Sequence, residues 1–144
     1  MQKLLLITLV GLFAFQSCGK KGCTDINARN YDEEAKRDDE TCAYDGSIVF
    51  WLNQTSVTNA IISGGCTTFT VWYNGIALVS ADAATYFNTA PDCGATNSLT
   101  CTMDLGTETS GTFLMEIKDQ NGTTHWYDYY TVTNANCDDV ELVW

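Results

Sequence analysis

The side chains best suited to catalysis are few, and their spacing does not complete a known catalytic arrangement. The chain has one histidine, His125, and no Gly-x-Ser-x-Gly sequence that would present a nucleophilic serine. A zinc site is not indicated, because there is no Cys-x-x-Cys pair and no second histidine. Asp104 and Glu116 could form the carboxylate pair of a glycosidase, but so small a domain offers no obvious cleft. The sequence therefore predicts a protein that is not an enzyme.

A cluster of acidic and amide side chains between positions 25 and 39 offers oxygen ligands at short intervals, as calcium requires. The spacing is not that of an EF-hand loop, and Glu40 stands where a turn-forming glycine would be expected. The simpler alternative, which we favour, is a solvated acidic face. Calcium is the only cofactor that the sequence suggests. The candidate ligands are Asp25, Asn27, Asn30, Asp32, Asp38 and Asp39.

The segment HWYDYYTV, residues 125–132, carries four aromatic residues in six positions. In a strand, alternate side chains point to opposite faces, so Trp126 and Tyr130 would share one face and Tyr127 and Tyr129 the other. One interpretation is a carbohydrate-binding surface formed by Trp126, Tyr127 and Tyr129. The other, which we favour, is a strand with one face in the core and one on the surface.

The first residues of the chain have the pattern of an export signal. Residues 4–15 are uncharged and apolar, and as a helix they would span about 18 Å, which is too short to cross a bilayer. Phe15-Gln16-Ser17-Cys18 resembles the lipobox of bacterial lipoproteins. That resemblance implies a signal peptide at residues 1–17, acylation of Cys18 (palmitate) and attachment to the outer membrane, facing the periplasm or the cell surface. The alternative is an ordinary signal peptide and an unmodified cysteine.

Six cysteines remain if Cys18 is acylated, and an exported protein is expected to pair them. An even number leaves no free thiol, so a nucleophilic Cys-His pair is not expected. Six cysteines allow 15 connectivities, among which the sequence alone does not choose.

Residues 22–44, GCTDINARNYDEEAKRDDETCAY, resemble a short acidic module of exported bacterial proteins that is often likened to thrombospondin-type calcium repeats. The usual Gly-Ser is replaced by Glu40-Thr41. The resemblance implies a Cys23–Cys42 disulfide, which would compensate for a core that about 20 residues cannot form. The matching residues are Cys23, Thr24, Asp25, Ala28, Asn30, Tyr31, Asp32, Ala35, Asp38, Asp39 and Cys42.

The remainder of the chain is patterned as β-strands. Short apolar or alternating runs are separated by glycine- and asparagine-containing turns, and Asn74-Gly75 and Asn121-Gly122 each predict a hairpin. No long segment has helical periodicity, although Ser80–Phe87 could form one helical turn. About seven strands predict an all-β fold, an antiparallel β-sandwich cross-linked by disulfides.

This region resembles small exported sandwich domains of the transthyretin or carboxypeptidase-regulatory type. The resemblance rests on GSIVFW (46–51), Cys66, Asn74-Gly75, PDCG (91–94) and Val132-Thr133 before Cys137, and it implies an accessory domain without catalytic residues. We expect Cys93 to pair with Cys101 across a short loop, and Cys66 to pair with Cys137. The predicted organisation is a signal peptide (1–17), a lipidated tether (18–22), the acidic module (23–45) and the sandwich (46–144).

The charge of the chain narrows the possible partners. A formal net charge of −11 opposes binding to phosphate backbones, so nucleic acid is not expected as a partner. We expect a non-enzymatic, lipid-anchored interaction module whose partners are the membrane and an envelope protein or glycan. The alternatives are a carbohydrate-binding module and a calcium-dependent adhesion module.

Overall fold

The computed structural model describes residues 19–134 and 136–144, which form two β-sheets and a short helix. The three-stranded sheet has the order β4-β1-β7 and the four-stranded sheet the order β3-β2-β5-β6. The predicted all-β, sandwich-like fold is confirmed. The elements are β1 (Tyr44–Trp51), α1 (Gln54–Ile62), β2 (Thr68–Tyr73), β3 (Ile76–Asp82), β4 (Leu99–Gly106), β5 (Ser110–Asp119), β6 (Thr124–Thr133) and β7 (Cys137–Glu141).

One strand pair departs from the predicted antiparallel arrangement. β7 runs parallel to β1, with Ser47 beside Cys137. The other four neighbouring strand pairs of the two sheets, β1–β4, β2–β3, β2–β5 and β5–β6, are antiparallel. β6 and β7 are consecutive in the chain but belong to different sheets. The direction of β7 is therefore not determined by a hairpin, the connection that makes neighbouring strands antiparallel.

The core lies between the two sheets. It is formed by every second residue of each strand, the one whose side chain faces inward. In β4 the positions 99, 101, 103 and 105 are buried, and the intervening ones are more accessible, as expected for a strand with one solvated face. Burial of these side chains supplies most of the stability of such a domain. The core includes Ile48, Phe50, Phe69, Val71, Leu99, Cys101, Met103, Met115, Ile117, Val132 and Leu142.

Both predicted hairpins are present. Asn74 and Gly75 both have positive φ values, 49° and 76°, as a two-residue turn of type I′ between β2 and β3 requires. Between β5 and β6, Asp119 Oδ1 accepts hydrogen bonds from the backbone N–H groups of Asn121 and Thr123, at 2.8 and 3.0 Å. Gly122, with φ 81°, completes this turn.

The helix α1 was not predicted. Asn53 caps it by accepting a hydrogen bond from the Ser56 N–H at 2.8 Å, and Val57 and Ala60 are buried against the core. The segment Ser80–Phe87, whose sequence allows one helical turn, instead contains the end of β3 and a turn.

The disulfides correct two predicted pairs. Cys23 and Cys42 are bonded, as the module resemblance implies, but the second disulfide joins Cys93 to Cys137. The predicted pairs Cys93–Cys101 and Cys66–Cys137 are wrong. Cys101 occupies an inward position of β4 and is buried in the core, so its thiol faces away from the loop that carries Cys93. Cys66 and Cys101 are free thiols.

The acidic module packs against the end of the sandwich. Cys23, Ala28, Tyr44 and Leu105 form a small buried cluster that Phe113 also contacts. At its rim, Arg29 forms ion pairs with Asp45 at 2.6 Å and with Asp104 at 3.2 Å.

The described part of the predicted tether is bonded to the module. The Lys20 ammonium contacts carboxylate oxygens of Asp32 and Glu34, each at 2.9 Å, and the Lys20 carbonyl accepts a hydrogen bond from the Lys36 N–H. The predicted signal peptide and Cys18 lie outside the described residues. Among the residues described, no helix has the length and apolar character needed to span a membrane.

Candidate functional site

Two exposed tyrosines lie side by side on the outer face of the four-stranded sheet. Tyr127 is 61% exposed and Tyr129 is 67% exposed, and both belong to β6, an edge strand. They are two residues apart on one face, which separates them by about 7 Å along the strand. We call Tyr127, Tyr129 and the β5 and β6 side chains beside them, Thr112, Leu114, Glu116 and Thr131, the outer tyrosine face.

Hydrogen-bonding groups surround these rings. Tyr127 lies opposite Glu116 and Tyr129 opposite Leu114. The hydroxyl oxygens of Thr112 and Thr131 are 3.2 Å apart, and the Glu116 carboxylate contacts the Lys118 ammonium at 3.0 Å. The face therefore combines two open aromatic rings with hydroxyl and charged groups at its edges.

Trp72 lies on the same side of the sheet but is less accessible. It is paired with Glu116 and is partly buried, and the Lys118 ammonium lies 5.3 Å from the centroid of its ring. Because the Lys118 ammonium covers one face of the indole in this cation–π contact, the rings of Tyr127 and Tyr129 are more accessible to a ligand than that of Trp72.

Trp126 does not belong with the tyrosines. Its ring packs edge-on against Phe69 and Trp144, with centroids 5.3 and 5.6 Å away, and its Nε1–H donates to the Val143 carbonyl at 3.3 Å. The grouping of Trp126 with Tyr127 and Tyr129 as one binding set is therefore wrong. The alternation of side chains along β6 places the tryptophan on the opposite face.

A second group of reactive side chains meets at one end of this sheet. The only group of three His, Cys, Asp or Glu side chains with ligand atoms in mutual reach, within the part of the chain that the structure describes, is Cys66, Asp119 and His125. His125 Nε2 is 3.0 Å from Asp119 Oδ2 and 3.8 Å from Cys66 Sγ. The sequence predicts that every cysteine other than Cys18 is paired, which would leave no free thiol beside His125. That prediction is wrong, because Cys66 is a free thiol.

The backbone explains why these three residues meet. Phe69 of β2 is paired with Asp119 at the end of β5, so the residues just before β2 lie beside the β5–β6 turn. The Gln120 side chain holds the residues before β2 in this position through two hydrogen bonds. Its Oε1 accepts a hydrogen bond from the Thr67 N–H at 2.9 Å, and its Nε2 donates one to the Gly65 carbonyl at 3.1 Å. Cys66 is held between these two anchored residues.

The geometry does not favour a cysteine nucleophile. One nitrogen of His125 faces both partners, whereas a triad places the carboxylate and the nucleophile on different imidazole nitrogens. Burial and the nearby Asp119 charge raise the pKa of the Cys66 thiol, which disfavours the thiolate. The hydrogen bond from His125 holds the pKa of Asp119 below its usual value, with the N–H groups of Thr123 and Asn121 acting in the same direction.

The predicted calcium ligands engage in local hydrogen bonds instead of converging. Asp25 accepts from the Tyr44 hydroxyl at 2.7 Å, and Asp32 contacts the Lys20 ammonium. Asn30 bonds to the backbone of Thr41 and Ala43. Asp38 and Asp39 accept N–H groups two residues ahead, and the Asn27 amide donates to Asp25. No three carboxylates of the module share a site among the described residues.

The carboxylate pair considered for a glycosidase is separated by the fold. Asp104 lies on β4 in the three-stranded sheet and contacts Arg29, whereas Glu116 lies on β5 in the four-stranded sheet and contacts Lys118. Each alternates with core residues of its own strand, so the two carboxylates point to opposite outer faces of the sandwich. They cannot act together on one glycosidic bond.

Comparison with known proteins identifies no relative of this chain. No protein-family model, curated protein or solved structure matches it.

Proposed function

We propose that this chain is a non-enzymatic binding protein of the bacterial envelope that binds glycans on its outer tyrosine face. The carrying observation is the exposure of Tyr127 and Tyr129, at 61% and 67%, on one face of an edge strand. Large aromatic side chains gain free energy on burial, so two adjacent exposed rings provide contact area for a ligand.

The surroundings of the rings support a sugar as the ligand class. An aromatic ring can stack on the apolar face of a pyranose, while nearby polar groups bond to its hydroxyls. Thr112, Glu116 and Thr131 supply such groups beside the tyrosines. A formal net charge of −11 disfavours the alternative of stacking on nucleic acid bases.

Anchoring at Cys18 remains part of the proposal, as the resemblance of residues 15–18 to a lipobox implies. The two disulfides agree with an exported location, since such bonds persist in oxidising compartments. Mass spectrometry of the protein extracted from envelopes tests the anchor, and an unmodified Cys18 thiol would contradict it.

The binding proposal is tested with the purified chain and a panel of envelope and cell-wall polysaccharides, including peptidoglycan. We expect at least one polysaccharide to retain the protein, and Tyr127→Ala and Tyr129→Ala each to weaken retention about tenfold, the order of one lost stacking contact. Tyr86→Ala is the matched control, because Tyr86 is also exposed (45%) but lies in the loop after β3.

Three results would contradict the proposal. One is the absence of retention on every polysaccharide. Another is equal weakening by Tyr86→Ala and Tyr127→Ala. The last is specific capture of an envelope protein through the same tyrosines while no glycan competes, which would reassign the face to a protein partner.

A further inference from the structure

We propose that Cys66, Asp119 and His125 bind one zinc ion through Sγ, Oδ2 and Nε2. The site is distinct from the outer tyrosine face and does not depend on glycan binding. It joins the loop between α1 and β2, which carries Cys66, to the β5–β6 hairpin, which carries Asp119 and His125.

The distances between the donor atoms agree with a common ion. Zinc lies about 2.3 Å from sulfur and about 2.1 Å from nitrogen or oxygen, so tetrahedral ligands are about 3.4–3.6 Å apart. The Nε2–Sγ distance is 3.8 Å and the Nε2–Oδ2 distance is 3.0 Å, and all three atoms lie within 4.8 Å of one another. Zinc binding requires Nε2 and Oδ2 to separate by about 0.4 Å, and it requires Cys66 Sγ, which lies within 4.8 Å of the Asp119 oxygen, to approach it by up to about 1.2 Å.

The donor set selects the metal. One thiolate, one imidazole and one carboxylate form a mixed S, N and O set, which suits a borderline ion such as zinc and not calcium or magnesium, which prefer oxygen alone. The acidic chain, with a net charge of −11, also attracts cations.

The surrounding contacts prepare the ligands. Asp119 Oδ1 is occupied by two backbone N–H groups, which leaves Oδ2 directed at His125. Cys66 is only 2% exposed and is held by the Gln120 bonds to its neighbours. On binding, the thiol proton passes to solvent, and the proton that Nε2 donates to Asp119 is exchanged through solvent for one on Nδ1, so that Sγ and Nε2 each coordinate with a lone pair. Supporting contacts of this kind fix ligand orientation in zinc sites.

Three protein ligands leave the fourth zinc position to solvent. His125 also lines an open cleft of about 220 Å³ together with Trp126, Val143 and Trp144. The His125 and Trp144 ring centroids are 4.5 Å apart, so the imidazole forms one wall of this cleft beside an aromatic wall. This cleft brings solvent to the His125 side of the cluster.

The test uses the full chain, purified in detergent after oxidative folding and carrying Cys18→Ser throughout, so that Cys66 and Cys101 are the free thiols. We expect zinc titration to give one site per chain. We expect Co²⁺ to give a thiolate charge-transfer band with tetrahedral visible bands, and X-ray absorption to find one sulfur ligand. Cys66→Ser should abolish the charge-transfer band, and His125→Gln should weaken zinc at least tenfold.

Cys101→Ala is the matched control, since it removes the other buried thiol, which lies outside the cluster, and should leave the zinc affinity and the cobalt spectrum unchanged. The spectra of the parent protein, which carries only Cys18→Ser, decide the question even if a further variant fails to fold. The proposal is overturned by the absence of a one-to-one site, by coordination without sulfur, or by loss of the thiolate band in Cys101→Ala but not in Cys66→Ser.

Discussion

At the scale of single residues, the acidic module is organised by carboxylates that accept hydrogen bonds. Asp25 illustrates this, because its two oxygens receive the Tyr44 hydroxyl at 2.7 Å and the Asn27 N–H at 2.9 Å. The Tyr44 hydroxyl, followed by the Asn27 N–H, holds the pKa of Asp25 below its ordinary value of 3.8. The same bond raises the pKa of Tyr44 above 10.0.

The lowered pKa of Asp25 predicts a contribution to acid sensitivity. A carboxylate with a depressed folded-state pKa stabilises the protein above its unfolded pKa, and this contribution is lost as pH falls through the folded value. We expect the urea midpoint of Asp25→Asn to fall less than that of the wild type between about pH 5 and pH 2. Tyr44→Phe should flatten the profile in part, because it removes the principal hydrogen-bond donor to Asp25 but leaves the Asn27 N–H.

The double variant is the control for this pair. If Tyr44 acts through its hydrogen bond to Asp25, Asp25→Asn combined with Tyr44→Phe should have the same pH dependence as Asp25→Asn alone, because no carboxylate remains for Tyr44 to act on. Additive flattening, or single variants with the wild-type profile, would show that the bond does not govern the response.

At the scale of elements, the Cys93–Cys137 disulfide closes the three-stranded sheet. Cys93 lies in the loop before β4 and Cys137 begins β7, and these two strands flank β1 on either side. The disulfide therefore links the two edge strands of this sheet, β4 and β7, on either side of the central strand β1. It also constrains β7, which no hairpin connects to its neighbour β1.

Removal of this disulfide should cost more than removal of the one in the module. The bonded residues are 44 apart for Cys93–Cys137 and 19 apart for Cys23–Cys42. Loop-closure entropy then assigns about 4 kcal/mol to the first and about 3 kcal/mol to the second. We expect the Cys93→Ala/Cys137→Ala variant to have the larger decrease in urea-unfolding free energy, with the module double variant as comparison.

Peptide mapping without reduction should accompany these measurements. It should yield a fragment that joins Cys93 to Cys137. A fragment joining Cys66 to Cys137 or Cys93 to Cys101, or wild-type stability of the Cys93→Ala/Cys137→Ala variant, would refute the assignment.

The sequence predicts strands better than it predicts cysteine pairing. Period-two alternation and Asn-Gly turns identify the strands because both signals are local. In β4, Leu99, Cys101 and Met103 occupy alternate positions, and this local pattern already marks Cys101 as a core residue. The partner of Cys93 depends on where β7 lies, which is a long-range property. The helix α1 is short and rich in β-branched residues, so its sequence carries no helical signal strong enough to detect.

The candidate sites are predictable to different degrees. Strand alternation alone separates Trp126 from Tyr127 and Tyr129, and the structure agrees with that separation. In contrast, Cys66 and His125 are 59 residues apart and meet only because β2 pairs with β5. No spacing motif encodes such a meeting, so the cluster becomes visible only when the sheet order is known.

At the scale of the whole molecule, the acidic module and the sandwich share a buried boundary. Leu105 of β4 packs with Cys23, Ala28 and Tyr44, and Phe113 contacts both this cluster and the main core. Tyr44 belongs to the module by sequence and begins β1 by structure. We therefore expect the two regions to be thermodynamically coupled, because apolar contacts continue from one into the other.

Truncation of Leu105 should loosen the module before it loosens the sandwich. Leu105 is buried, and Leu→Ala at such a position costs about 2–5 kcal/mol. We expect Leu105→Ala to accelerate hydrogen exchange at the module amides that bond within it, such as those of Ala28 and Asp32, more than at the Ile117 amide of the central pair β2–β5. Leu114→Ala is the matched control, since it removes the same atoms from the outer tyrosine face, away from the module. Uniform acceleration in Leu105→Ala, or faster module exchange in Leu114→Ala, would mean that this cluster does not couple the two regions.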